Sequence, residues 1–89
     1  MKIQFSQDAW EDLQYWITTD TKTLQKILNL LKACQRTPFS GTGKPEPLRN
    51  ELKGWLSRRI TQEHRLVYRV SGTGENQALE VAACRSHYS

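Results

Sequence analysis

From Lys2 to Phe5 polar and apolar residues alternate, which predicts a short opening strand. Ser6 then reads as a helix N-cap, because its hydroxyl can accept from an orphan N–H of the first turn, and Asp8 suits the positive end of the helix dipole. Trp10, Leu13, Trp16 and Ile17 recur at helical spacing and draw one apolar stripe. The run Thr18-Thr19-Asp20-Thr21 breaks that helix, and Asp20 or Thr21 caps a second. The buried face of the second helix is marked by Leu24, Ile27, Leu28, Leu31 and Cys34, with Lys22, Lys26 and Lys32 left in water. Two amphipathic helices on so short a link predict an antiparallel helical hairpin whose stripes are core rather than binding surface.

Between Thr37 and Pro47 the sequence is TPFSGTGKPEP. Three prolines and two glycines cannot continue a helix, so this segment is an ordered or semi-ordered loop. Beyond it the period changes to 2. Residues Trp55 to Thr61, Arg65 to Val70 and Ala78 to Arg85 read as strands, joined by turns at Thr61 to His64 and Ser71 to Asn76. The fold class is α+β: a short N-terminal strand, a two-helix hairpin, then an antiparallel β-meander with the helices on one face. In the middle strand Leu66, Tyr68 and Val70 alternate with Arg65, Val67 and Arg69. In the preceding one Leu56, Arg58 and Ile60 alternate with Ser57, Arg59 and Thr61. One sheet face is therefore apolar and the other presents arginines. In the last strand the parity clashes, because unbroken alternation puts Arg85 and His87 on the face of Leu79 and Val81. Either a bulge intervenes or the strand ends near Cys84.

Eighty-nine residues make a single domain spanning 1–89. Hydrophobic residues are 37% of the chain and mean hydropathy is −0.69, enough for one modest core. Apolar runs of a few residues fall far short of the roughly 20 that a membrane span needs. The opening MKIQFSQDAW lacks the apolar region of a secretory leader. Cys34 and Cys84 form no CxxC pair and read as reduced core residues of a cytoplasmic protein. Charge changes the picture more. The net charge is +4, and residues 44–89 hold eight basic and five acidic side chains against five and four in residues 1–43. A localised basic excess suits a polyanion, most simply nucleic acid; a solvated basic surface is the plainer alternative.

Cleaving RNA without a metal requires a base for the 2′-hydroxyl, an acid for the departing 5′-oxygen and positive charge at phosphorus. The basic half supplies all three in Glu46, His87 and the arginines Arg59 and Arg65. A carboxylate is ionised at neutral pH, as a base must be, whereas an imidazole needs an anionic neighbour to keep its proton. Prolines on both sides of Glu46 stiffen the backbone that would aim it. Each residue also has a duller reading. Glu46 is then an exposed loop charge, His87 a frayed tail, and Arg58, Arg59, Arg65 and Arg69 outward strand residues pairing with Glu51 and Glu63. His64 reads as structural or surface, and Glu63 as an orienting partner for an arginine rather than a second base. Tyr88 could stack on a base or hold phosphate. No ligand spacing suggests a metal, and no motif suggests a cofactor.

The stretch TPFSGTGKPEPLRNELKGWLSRRITQEHRLVYRV and the tail AACRSHY, with Asp12 and Trp16 before the Thr-Asp break, resemble the YoeB/Txe toxins of bacterial toxin–antitoxin pairs over essentially the whole chain. The resemblance implies a RelE-like microbial ribonuclease fold and an endoribonuclease that enters the ribosomal A site and cuts mRNA there. It implies Glu46 as general base, His87 as general acid, Arg65 as stabiliser of the charged phosphorus and Tyr88 as a positioning group. Arg59 and Glu63 would complete the charged network, with Lys44 and Arg49 near the RNA backbone. The implied partners are a cognate YefM/Axe-like antitoxin, the 70S ribosome with A-site mRNA, and operator DNA bound by the toxin–antitoxin complex. A homodimer is left open, and no membrane is involved. Ser89 after the His-Tyr pair, and Arg49 where relatives often carry lysine, depart from the family pattern. A non-catalytic toxin of this fold that grips a protein, as ParE-type toxins do, and a plain RNA-binding module are the alternatives.

Overall fold

Two polar side chains set the helical half of the molecule. Ser6 Oγ accepts from the Ala9 amide at 3.0 Å and donates to the Ala82 carbonyl at 3.1 Å, so the residue that starts helix α1 (Gln7–Thr19) also ties it to the last strand. Asp20 donates its own N–H to the Trp16 carbonyl, closing α1, while its carboxylate takes the Lys22 and Thr23 amides at 3.1 and 3.2 Å. It also accepts from the Thr23 hydroxyl at 2.8 Å, opening α2 (Thr21–Arg36). One residue thus ends one helix and begins the next. The computed structural model describes residues 1–85.

The buried stripes are rotated from the expected ones. Ala9, Leu13 and Trp16 face inward on α1, whereas Trp10 and Ile17 are 46% and 48% exposed. On α2 the inward set is Thr23, Ile27, Leu30, Leu31 and Cys34, with Leu28 exposed and Leu24 only partly covered. The large hydrophobes misdirected the phase on α1. The decisive position is small Ala9, whose carbonyl meets the Cys84 thiol at 3.7 Å.

Five strands form one sheet in the order β1-β5-β4-β3-β2, namely β1 (Lys2–Phe5), β2 (Glu46–Pro47), β3 (Leu56–Arg59), β4 (Arg65–Ser71) and β5 (Ala78–Ala83). The antiparallel meander β3-β4-β5 is as expected, but β1 lies parallel to β5, so the sheet is mixed. Glu46 and Pro47 leave the loop to add a two-residue edge strand against Ser57 and Leu56. Proline suits that edge because no ladder donor is asked of it. The parity clash in β5 resolves by a bulge. Val67 faces Ala83 while Tyr68 faces Val81, so Ala82 is the extra residue, and the strand ends at Ala83. Leu79 and Val81 therefore join the core before the bulge and Cys84 after it, against Trp16, Ile27, Leu30, Ile60, Leu66 and Tyr68.

Arg58 corrects the expectation of an outward, carboxylate-paired residue. It lies on the helix side of β3 and is fully buried. Its Nε donates to the Tyr68 hydroxyl at 3.0 Å, Nη1 to the Thr42 carbonyl at 3.0 Å, and Nη2 to the carbonyls of Ser40, at 2.9 Å, and Thr37. Tyr68 in turn donates to the Pro38 carbonyl. The loop after α2 is thereby folded around a buried guanidinium.

Candidate active site

That loop delivers Glu46. Gly43 accepts from the Arg59 amide at 2.9 Å, and a Cβ on it would stand 3.1 Å from both Leu30 Cδ2 and the Arg58 Cβ, so the backbone passes where only glycine fits. Lys44 follows with a left-handed φ of 52°, then Pro45 leads into β2. Directly paired residues of an antiparallel ladder point to the same side. Glu46 opposes Ser57, Ser57 opposes Val67, and Val67 opposes Ala83, so the four stand in one row across the face away from the helices. Ser57, Val67 and Ala83 are buried, whereas Glu46 at the end of the row is exposed.

The next pair on that face is Arg59 opposite Arg65. Like charges facing each other across a ladder repel, and neither arginine has an ion-paired carboxylate among the described residues. Arg65 is instead held by main chain: its Nη1 donates to the carbonyls of Thr61 at 2.8 Å, Gln62 at 3.1 Å and His64 at 3.2 Å. Carbonyls fix the guanidinium without neutralising it, so its positive charge stays available to an anion.

The remaining site candidates divide. Lys44 and Arg49 are exposed on either side of β2, with Arg49 opening the short 3-10 turn Asn50–Leu52. Glu63 is exposed in the β3–β4 turn, its amide on Thr61 Oγ1 at 3.2 Å, and it forms no ion pair with an arginine among the described residues. Arg69 pairs with Glu80 at 3.1 Å rather than with Glu51 or Glu63, and its guanidinium lies 4.4 Å from the Trp55 ring. His64 packs edge-on to Trp16 with ring centroids 4.8 Å apart, in keeping with a structural role. His87 and Tyr88, the expected acid and positioning group, lie outside the described residues, as does Ser89.

Cys84 and Arg85 are tied to α1. Asp12 accepts the Cys84 amide at 3.1 Å, Trp16 Nε1 donates to the Cys84 carbonyl at 2.8 Å, and the Arg85 guanidinium lies 3.5 Å from the Tyr15 ring centroid. Burial raises the Asp12 carboxyl above its usual range, and the Cys84 N–H and Arg85 hold it partly back. Helix α1 therefore fixes the position of Cys84 and Arg85. A carboxylate at position 12, on the inward spacing of Ala9, Leu13 and Trp16, is the sequence signal for this anchor. The two thiols are inert core groups: burial raises Cys34 and pushes Cys84 up to about 12. Among the described residues no cluster of three metal-ligating side chains occurs, and no helix is long and apolar enough to cross a membrane.

Residues 5–88 match the family of YoeB-like toxins of bacterial type II toxin–antitoxin systems. The chain belongs to that family. It is 51% identical to the toxin YoeB of Escherichia coli strain K12 over 99% of this chain and 100% of that relative. The structure of a YoeB/ParE toxin from Agrobacterium tumefaciens superposes with a TM-score of 0.95 at 51% identity, covering 99% of this chain and 100% of that one. A heterotetrameric YoeB-YefM toxin–antitoxin complex from Staphylococcus aureus superposes with a TM-score of 0.86 at 44% identity, over 99% and 98% of the two chains. YoeB from that organism has also been solved as a dimer. The chain is thus a type II toxin of the YoeB family, and its α+β architecture is that of the YoeB and RelE toxins.

Proposed function

We propose that this toxin is a ribosome-dependent endoribonuclease that cuts A-site mRNA and so stops translation. Glu46 takes the proton of the 2′-hydroxyl, whose oxygen attacks the adjacent phosphorus in line. Arg65 offsets the charge that gathers on the phosphoryl oxygens. The bond to the 5′-oxygen breaks, His87 supplies its proton, and a 2′,3′-cyclic phosphate remains. Tyr88 positions the substrate, Arg59 and Glu63 complete the charged network, and Lys44 and Arg49 meet the RNA backbone. The observation that carries this reading is the row Glu46–Ser57–Val67–Ala83, with Arg59 and Arg65 beside it. Three strand spacings, about 14 Å, separate its ends, and the tail bearing His87 begins just past Ala83. A domain this small has little surface for aligning a flexible message, and alignment supplies about 7–11 kcal/mol of such a barrier; the ribosome provides it. A YefM-like antitoxin silences the toxin in the cytoplasm, and the pair acts on operator DNA.

In a translation extract, Glu46→Gln and His87→Gln should each lower mRNA cutting by about 100-fold or more, while both variants still associate with ribosomes. Cleavage at the wild-type rate by either variant would overturn the assigned roles.

A further inference from the structure

Helix α2 carries no acidic residue after its cap, Asp20. Lys22, Lys26, Asn29 and Arg36 are spaced 4, 3 and 7 apart and so lie along one face. Two hollows follow that face where the loop Gly41–Lys44 leans on the helix. One of about 430 Å³ is lined by Lys26, Asn29, Lys44 and Arg59 among others. A second, of about 210 Å³, is lined by Arg36, and Thr42 is common to both. No carboxylate lines either hollow, and Lys26, Arg36, Lys44 and Arg59 form no ion pair among the described residues. Asn29 accepts from Gln25 Nε2 through its carbonyl oxygen at 3.1 Å, and its amide nitrogen carries two further donors. The opposite wall is rigid, since buried Arg58 grips the carbonyls of Thr37, Ser40 and Thr42.

We infer that this groove is a second binding site for an RNA backbone, separate from the scissile position and joined to it through Arg59. The inference rests on the ribonuclease reading for the choice of RNA over another polyanion. Arg59 belongs to both places: it lines the larger hollow and pairs with Arg65 on the reaction face. A strand leaving the reaction face over Arg59 meets Lys44, then Lys26 and then Arg36. Lys26 and Arg36 are about 15 Å apart along the helix axis, room for more than one phosphate. Amide donors and cations without any acceptor partner select phosphate oxygens and carry no base readout. The site would therefore grip message or ribosomal RNA regardless of sequence.

The test uses the full chain with Glu46→Gln, so that bound RNA stays intact, and compares Lys26→Glu with Lys2→Glu. Lys2 lies on β1, at the opposite edge of the sheet, so both variants change net charge equally. Binding to 70S ribosomes and to a single-stranded RNA oligomer is measured across a potassium chloride series. Lys26→Glu should weaken binding about tenfold relative to Lys2→Glu and lower the slope of log K against log salt by roughly 1. Loss on both ligands places message in the groove, and loss on ribosomes alone places ribosomal RNA there. Identical behaviour of the two variants on both ligands overturns the site. So does a loss seen only when the same two variants are titrated with purified YefM-like antitoxin, which would make the groove a protein contact. Because no arm reads cleavage, failure here is distinct from failure of the Glu46 and His87 roles.

Discussion

Two arginines show how the same side chain serves opposite ends. Arg65 uses one nitrogen to hold three carbonyls of its own turn and remains partly exposed. Arg58 spends its donors inward on Tyr68, Thr37, Ser40 and Thr42 and sees no solvent. A buried cation without a carboxylate survives only because several oriented oxygens replace its hydration. Arg58→Met, similar in bulk, would leave those oxygens unpaired and should lower stability by about 3–5 kcal/mol. Tyr68→Phe removes the two links made by that hydroxyl, from Arg58 and to Pro38, and should cost about 1–3 kcal/mol. Urea midpoints of the two variants give the comparison, and an Arg58→Met loss no larger than that of Tyr68→Phe would refute the clamp. The loop carrying Lys44 and Glu46 should become more open to proteolysis in Arg58→Met, because the clamp is what folds it.

The elements legible in the sequence are those whose signals are local. Ser6 and Asp20 announce the helix starts because a cap needs only its own first turn. The three meander strands follow from alternation alone. What eluded the pattern depends on partners far along the chain. The pairing of β1 with β5, the short strand at Glu46–Pro47 and the inward direction of Arg58 are set by neighbours that periodicity does not record. The candidate site was legible as residue types in a basic half. That Glu46 shares a face with Arg59 and Arg65 needed the ladder register, and β2 itself was read as loop. Asp20 also gives a pH-dependent prediction. The Thr23 hydroxyl, followed by the Thr23 and Lys22 amides, holds its carboxyl below the ordinary value of 3.8. The unfolded chain therefore takes up this proton first as pH falls. The stability contributed by the cap is complete above the ordinary value and fades as pH drops through the lowered one. Asp20→Ala should be less stable than wild type at pH 7, by a gap that narrows below pH ~4. Thermal melts of both proteins at several pH values would measure it, and a constant gap would exclude the carboxylate as its source.

At the scale of the whole molecule, the sheet joins segments from opposite ends of the chain. Ser6 and Ala82, 76 residues apart, are hydrogen-bonded, and β1 lies along β5 from Lys2 opposite Ala78 to Phe5 opposite Val81. By contrast β3 and β4 meet across one tight turn, where the Ile60 amide reaches the His64 carbonyl at 2.9 Å. Closing the long loop costs about 2 kcal/mol more entropy than closing the hairpin, so the hairpin should form early and β1 should dock late. Mutations in the two places then separate kinetically. Val67→Ala, at the centre of the hairpin, should slow folding, with at least half of its destabilisation appearing in the folding rate. Phe5→Leu, on the late strand, should act mainly by speeding unfolding, with less than a third appearing in folding. Stopped-flow chevrons in urea report both fractions, and equal fractions would contradict the order. The order bears on function because β5 completes its two-sided pairing only when β1 arrives. Cys84, just past a strand by then flanked on both sides, is held there by Asp12 and Trp16.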